Sequence, residues 1–111
     1  MFKKINLWKK FNNCVGNKRE LKEINYEDIK NKNYIIIDVR NKREFSEGHI
    51  NGAVNIELSR IKKQIDKLKL DKEQEILVYC QSGIRSKKAV LILEQLGYTH
   101  VYNLKGGLEN I

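Results

Sequence analysis

Of the two cysteines in the chain, Cys80 sits where a thiol can be put to use. It follows the apolar run Ile76-Leu77-Val78-Tyr79 and opens the short polar stretch Gln81-Ser82-Gly83-Ile84-Arg85-Ser86. A thiol attacks only as its thiolate, and at an ordinary pKa of about 8.5 only a few per cent is ionised at neutral pH. Making most of it reactive requires a drop of about two units, roughly 2.7 kcal/mol of differential stabilisation. A polar loop with one glycine, leading into a helix N-terminus, turns several backbone N–H groups toward a common point and forms an anion cradle. The helix end contributes only about 0.3–1 kcal/mol. Loop amides, with Arg85, have to supply the rest. An inert core cysteine needs no such loop behind it. Arg85 also stands at a helix start, where its charge is unfavourable unless an anion is bound, and Lys87 and Lys88 add further positive charge.

Other residues with chemistry in their side chains read more plainly. His49 is expected to stabilise a turn by bonding to nearby backbone or carboxylate, and His100 to start a strand. Cys14 is expected to be incidental, although a leader folded over the site would make it a resolving thiol. No Cys-x-x-Cys pair is present, so neither a disulfide framework nor a zinc site is expected, and a reducing compartment fits. No metal ligand set is assigned.

The elements that position Cys80 follow from periodicity. Glu23-Ile24 reads as a short strand, followed by a helical turn capped by Asn25 with Asp28 three residues on. Tyr34–Val39 is a continuous apolar run broken only by Asp38, as expected of a strand buried on both faces. Arg43–Gly48 reads as a brief helical element and Ala53–Ile56 as another strand. From Ser59 an amphipathic helix places Ile61, Ile65 and Leu68 on one side. Glu75–Tyr79 is the strand that runs into Cys80. Ser86 is the expected N-cap of a helix through Leu96, with Gly97 as its left-handed stop. His100–Leu104 is the last strand. Strands alternating with helices predict an α/β fold, a small parallel sheet with helices on both faces. In such a sheet sites gather at the carboxyl ends of strands, where Asp38 and Cys80 both fall.

With 111 residues, 41% of them apolar and 32% charged, the chain suits one soluble domain. Its formal charge of +8 is unevenly placed: residues 1–20 carry six basic side chains against one acid, the rest 16 against 13. The expected division is a basic extension over 1–20 and a domain over 21–111. A nearly balanced domain without a reading motif excludes nucleic acid as a partner. Ile5, Trp8 and Phe11 would share a face if the leader were helical, a peripheral membrane contact through residues 1–11. A leader without that role is the preferred reading. Lys9 and Lys10 interrupt any secretory apolar stretch.

The loop Cys80-Gln81-Ser82-Gly83-Ile84-Arg85-Ser86 resembles the active-site loop of single-domain rhodaneses, of the form C-x-x-G-x-R-S. Ile37-Asp38-Val39-Arg40, Glu44-Phe45-Ser46-Glu47-Gly48-His49-Ile50 and Gly52-Ala53-Val54-Asn55-Ile56 resemble that family's upstream signatures in the same order. Leu104-Lys105-Gly106-Gly107-Leu108 resembles its closing glycine pair, so the likeness spans about residues 23–111. The resemblance implies a rhodanese-like fold and a thiosulfate sulfurtransferase that needs no cofactor. Cys80 would take the outer sulfur of a small anionic donor such as thiosulfate and pass it to a cyanide, thiol or protein acceptor, in ping-pong fashion. Amides from Gln81 to Ser86, those of Ser82, Gly83 and Ile84 included, would hold the persulfide, and Arg85 would attract the donor's sulfonate. Asp38 and Arg40 would hold loops near the site. A cytoplasmic location fits.

Three departures accompany the likeness. Asn51 and Glu57 stand where prolines are usual, and Ile111 where a tryptophan often follows the glycine pair, so the last turn is expected to pack less well. The Cys-x4-Arg spacing, one residue shorter than the Cys-x5-Arg of phosphatases and arsenate reductases, suits a sulfur atom better than a tetrahedral oxyanion. A persulfide relay to a specific protein acceptor is the alternative reading, and a non-catalytic sulfur-binding module is disfavoured because such domains typically lack the cysteine.

Overall fold

A computed structural model describes residues 21–30 and 32–111. The leader and Cys14, with the membrane reading attached to them, lie outside the described residues. Five strands form one sheet: β1 (Glu23–Ile24), β2 (Ile35–Asp38), β3 (Val54–Asn55), β4 (Ile76–Tyr79) and β5 (Val101–Leu104). Their order across the sheet is β1-β5-β4-β2-β3, and every pairing is parallel.

The central strands are those the apolar runs predict. In β4 all four residues are buried, and Ile35, Ile36, Ile37 and Asp38 of β2 face Ile76, Leu77, Val78 and Tyr79 in register. Side chains alternate between the two faces. Ile76, Val78 and Cys80 join Ile37, Val39, Ile61, Ile65, Ala89, Val90 and Leu93 in the larger core cluster. Leu77 and Tyr79 join Ile29 and Leu104 in a smaller one, packed against Tyr26, Ile50 and Leu108. Helices therefore cover both faces, unequally. The long α3 (Ile84–Gln95) and α2 (Ile61–Gln64) lie on the first, and 3-10 turns at Tyr26–Ile29 and Gly107–Asn110 contribute to the second.

Three local expectations need correction. The helix expected from Ser59 is broken into a 3-10 turn (Leu58–Arg60), a single α turn and a second 3-10 turn (Ile65–Leu68). Packing decides this: Ile61 and Ile65 are both fully buried, one α turn suffices to bury them, and Lys69 then turns left-handed at φ 52°. Asn25 caps its 3-10 turn without a side-chain bond; only its carbonyl accepts, from Asp28 N–H at 3.0 Å. Ser86 is not the cap of α3. Gly83 is, at φ +99°, and Ser86 lies inside the first turn with its hydroxyl on the sulfur.

The far end of α3 follows its sequence signal. Gly97 adopts φ +102°, its N–H donates to Glu94 C=O at 3.0 Å, and Tyr98 N–H donates to Leu93 C=O at 3.1 Å. This is the Schellman pattern, with Tyr98 and Leu93 in the same core cluster. At the other end of the chain's order, α1 (Lys42–Glu47) opens on a full capping box. Asn41 Oδ1 accepts from Glu44 N–H at 2.9 Å, and Glu44 Oε1 accepts from Asn41 N–H at 3.1 Å. Glu57, one of the two missing prolines, puts its carboxylate to work here: Oε2 accepts from Lys42 N–H at 2.9 Å.

Candidate active site

β2 and β4 are neighbours, yet the chain leaves β2 toward β3 on one side and returns to β4 on the other. The carboxyl ends of these two strands thus form the switch-point crevice where open α/β sheets hold ligands. Asp38 ends β2, and Cys80 follows the last residue of β4.

Cys80 has no exposed surface, and its sulfur is ringed by donors. Gly83 N–H donates to Sγ at 3.1 Å and Ser86 N–H at 3.4 Å, while Ser86 Oγ lies 3.5 Å away. Burial pushes the thiol pKa up and is the largest influence. The Ser86 hydroxyl and the amides of Ser86, Gly83 and Ser82 push it down and together prevail, so the thiol is more acidic than usual. The donors that prevail come mostly from the start of α3, the Ser86 hydroxyl and amide and the amide of its cap Gly83, with the Ser82 amide of the loop beside them. Gly83 makes this geometry available through its positive φ, which a side-chain-bearing residue resists.

Asp38 and Arg40 form a buried scaffold beneath the loop. Arg40 Nη2 donates to Asp38 Oδ2 at 2.8 Å and Nε to Oδ1 at 3.1 Å, with the Arg40 backbone N–H on Oδ1 at 2.9 Å. The same guanidinium donates to Gly48 C=O at 2.6 Å and to Gln81 Oε1 at 3.4 Å. One side chain therefore ties the end of β2 to the loop after α1 and to the cysteine loop. Asn55 Nδ2 secures the same stretch through Asp38 and Arg40 carbonyls at 3.0 and 2.9 Å.

The Arg85 guanidinium is held by a carboxylate. Its Nη1 and Nη2 donate to Glu44 Oε1 and Oε2 at 2.8 and 3.0 Å, a bidentate pair between α3 and α1. Those bonds hold the Glu44 carboxyl pKa down at about 2 and raise that of the guanidinium. Glu44 was not singled out from the sequence, though Asn41-x-x-Glu44 is a legible capping box that would have marked its carboxylate as fixed in place. Gln81 is half-buried through its contact with Arg40, while Ser82 and Ile84 are exposed. Lys87 and Lys88 are exposed as well. His49 Nδ1 lies 2.8 Å from Phe45 C=O and its ring stacks on Phe45 at 3.7 Å, the turn-stabilising arrangement expected of it. His100 contacts the adjoining Thr99 hydroxyl at 2.8 Å. Among the described residues no group of three or more His, Cys, Asp or Glu is placed to hold a metal ion. Nor is any helix there long and apolar enough to cross a membrane.

The sequence profile of the Rhodanese-like domain matches residues 21–111. The chain belongs to the rhodanese-like domain family. Thiosulfate sulfurtransferase PspE of Escherichia coli is 43% identical over 75 residues, which are 68% of this chain and 71% of that one. A tRNA uridine(34) hydroxylase of Buchnera aphidicola is 35% identical over 100 residues, 86% of this chain but only 32% of its own length. The uncharacterized protein YqhL of Bacillus subtilis is 45% identical over 74 residues, 67% of this chain and 57% of its own. The chain thus spans a third to somewhat over half of these last two relatives. Among solved structures, a rhodanese with anions from E. coli superposes with a TM-score of 0.66 at 40% identity, covering 71% of this chain and 92% of that one. The rhodanese-like relatives include sulfurtransferases and a hydroxylase by name, so membership fixes the fold and the family while the reaction of this chain is a separate question.

Of the departures from the family pattern, Asn51 occupies a turn closed by Ala53 N–H on Ile50 C=O at 3.0 Å, with Gly52 at φ +88° doing the turning. Ile111 is largely exposed, but Leu108 packs into the second core cluster, so the closing turn is anchored one step earlier.

Proposed function

We propose that this rhodanese-like domain is a sulfurtransferase that carries sulfane sulfur on Cys80. The observation that carries the reading is the buried Sγ with amide and hydroxyl donors on it, from Gly83 and Ser86. In the first half-reaction the Cys80 thiolate attacks the outer sulfur of thiosulfate or of a persulfide donor. A new S–S bond forms to Cys80, the donor's S–S bond breaks, and sulfite (or the donor thiolate) leaves with the electron pair. In the second half, a thiolate or cyanide attacks the outer sulfur and the Cys80 thiolate departs with its pair. No cofactor is required. The intermediate keeps the negative charge of the thiolate and moves it outward by one S–S bond of about 2 Å. Donors arrayed around a loop suit that better than a single cation would. Keeping the thiol free for this chemistry suits a reducing, cytoplasmic setting.

The bidentate Glu44–Arg85 pair favours a second reading of the donor. A guanidinium already occupied by a carboxylate offers a sulfonate little net charge, which suits transfer from a protein or small-molecule persulfide in a relay. The test of the shared core is intact-mass analysis after incubation with thiosulfate and, separately, with a persulfide donor. Wild type should gain one sulfur atom, removable by cyanide, and Cys80→Ser should gain none. No gain from either donor, or an equal gain in the variant, overturns the proposal. A gain from the persulfide alone selects a persulfide over thiosulfate as the donor.

A further inference from the structure

The cysteine loop is gripped on its far side by the 3-10 turn Gly107–Asn110. Leu108 N–H donates to Cys80 C=O at 3.0 Å, and Glu109 N–H donates to Gln81 C=O at 3.0 Å. Gly107 is buried at φ +64°, and a Cβ placed on it would lie 2.6 Å from both of those carbonyl oxygens. Gly106 is equally constrained, at φ +74°, with Asn110 where a Cβ would stand. Asn110 Nδ2 closes the turn on Lys105 C=O at 3.2 Å. The turn is therefore shaped so that only a glycine lets its amides approach the loop.

These two bonds act on the opposite side of rigid plates. In a trans peptide the C=O and N–H of one unit point in opposite directions within a single plane. Fixing the Cys80 carbonyl orients Gln81 N–H, and fixing the Gln81 carbonyl orients Ser82 N–H. We propose that Gly107, Leu108 and Glu109 are positioning residues for Cys80: they hold two peptide planes by their carbonyls and so fix the path of the loop that brings Gly83 N–H to the sulfur. Gly83 N–H donates to Sγ at 3.1 Å, and Gly83 stands against the same closing turn, where a Cβ placed on it would lie 3.6 Å from the Gly106 nitrogen. The clamp rests on Cys80 being the reacting thiol, as set out above, and it identifies a part of the machinery more than 20 residues away from the cysteine loop in sequence.

The experiment compares Gly107→Ala with the parent, both in a Cys14→Ser background so that one thiol reports. The thiolate is followed by its ultraviolet absorbance against pH, and sulfur transfer by steady-state kinetics. In folded Gly107→Ala, judged by circular dichroism, the midpoint should rise by about one unit, about a tenfold loss of thiolate at pH values below the parent midpoint. kcat should fall in step, and raising the pH should restore much of it. A folded variant with the parent's midpoint overturns the clamp. Should Gly107→Ala not fold, hydrogen exchange on the full-length wild-type chain decides. Leu108 and Glu109 amides protected like those of β4 support it, and exchange at free-peptide rates overturns it. The titration needs no sulfur donor, so a parent that titrates as expected yet gains no sulfur refutes the proposed reaction and leaves the clamp standing.

Discussion

Cys80 loses its solvation on burial, which favours the neutral thiol, and recovers the charge from bonds made by Ser86, Gly83 and Ser82. The Ser86 hydroxyl is the largest of the favourable contributions, so it is the residue to remove. A hydrogen bond to a charged group is worth about 1.5–3 kcal/mol, and one pKa unit is about 1.36 kcal/mol. At 3.5 Å the lower end applies. Ser86→Ala should therefore raise the thiol midpoint by about one unit. Sulfur transfer at neutral pH should slow accordingly while the donor's KM moves little. A pH–rate profile checks this, and an unshifted acid limb would assign Ser86 to packing alone. At this scale Cys80 and the amides of the loop were legible in the sequence because they are contiguous. Ser86 belongs to that loop as expected, but as a cap it is displaced: Gly83 takes the cap, and three residues on both the hydroxyl and the amide of Ser86 meet the sulfur.

The short helix α1 and the start of α3 meet through Glu44 and Arg85, and this contact has a pH signature. The Glu44 carboxyl titrates at about 2 in the folded chain against an ordinary value of 4.5. A depressed carboxylate pKa means that the unfolded chain binds protons first. The stabilisation is complete above about pH 4.5 and is lost as the pH falls toward about 2. Melting temperature measured down that range should fall more steeply for wild type than for Glu44→Gln, and parallel curves would count against the pair. The contact was hidden from sequence reading because its partners lie 41 positions apart. The capping box that fixes Glu44, by contrast, is spelled out over four residues. Asn41 Oδ1 and the Glu44 backbone already commit the helix start, so the carboxylate has one geometry to offer Arg85. The helix expected from Ser59 failed for a related reason. Ile61 and Ile65 specify which residues are buried, and a burial pattern of that length is met equally by one α turn flanked by tighter ones.

Across the whole molecule, the buried Asp38–Arg40 pair joins the sheet to two separate loops. Removing one partner of a buried ion pair typically costs about 3–5 kcal/mol, because the other charge is left without compensation. Arg40→Ala should destabilise the fold by about that much in chemical denaturation and loosen the cysteine loop with it. A change under about 1 kcal/mol would mean that water replaces the guanidinium without penalty. The sheet itself was largely legible, since β2 and β4 are near-continuous apolar runs of the kind a doubly covered parallel sheet buries. The strand order was not. Periodicity reports which faces are apolar and is silent about which strand lies beside which.

That order has a consequence for how the chain reaches this state. β5, last of the strands in sequence, fills an interior slot between β4 and β1, and Glu23 of β1 pairs with Asn103 across most of the domain. Contacts so distant in sequence close late and make folding slow relative to a chain of local pairings. Until β5 docks, one side of β4 presents an open row of N–H and C=O groups along the most apolar strand of the protein. Such an edge is a template for other chains, so the species most prone to aggregate during refolding is the one still waiting for its final strand.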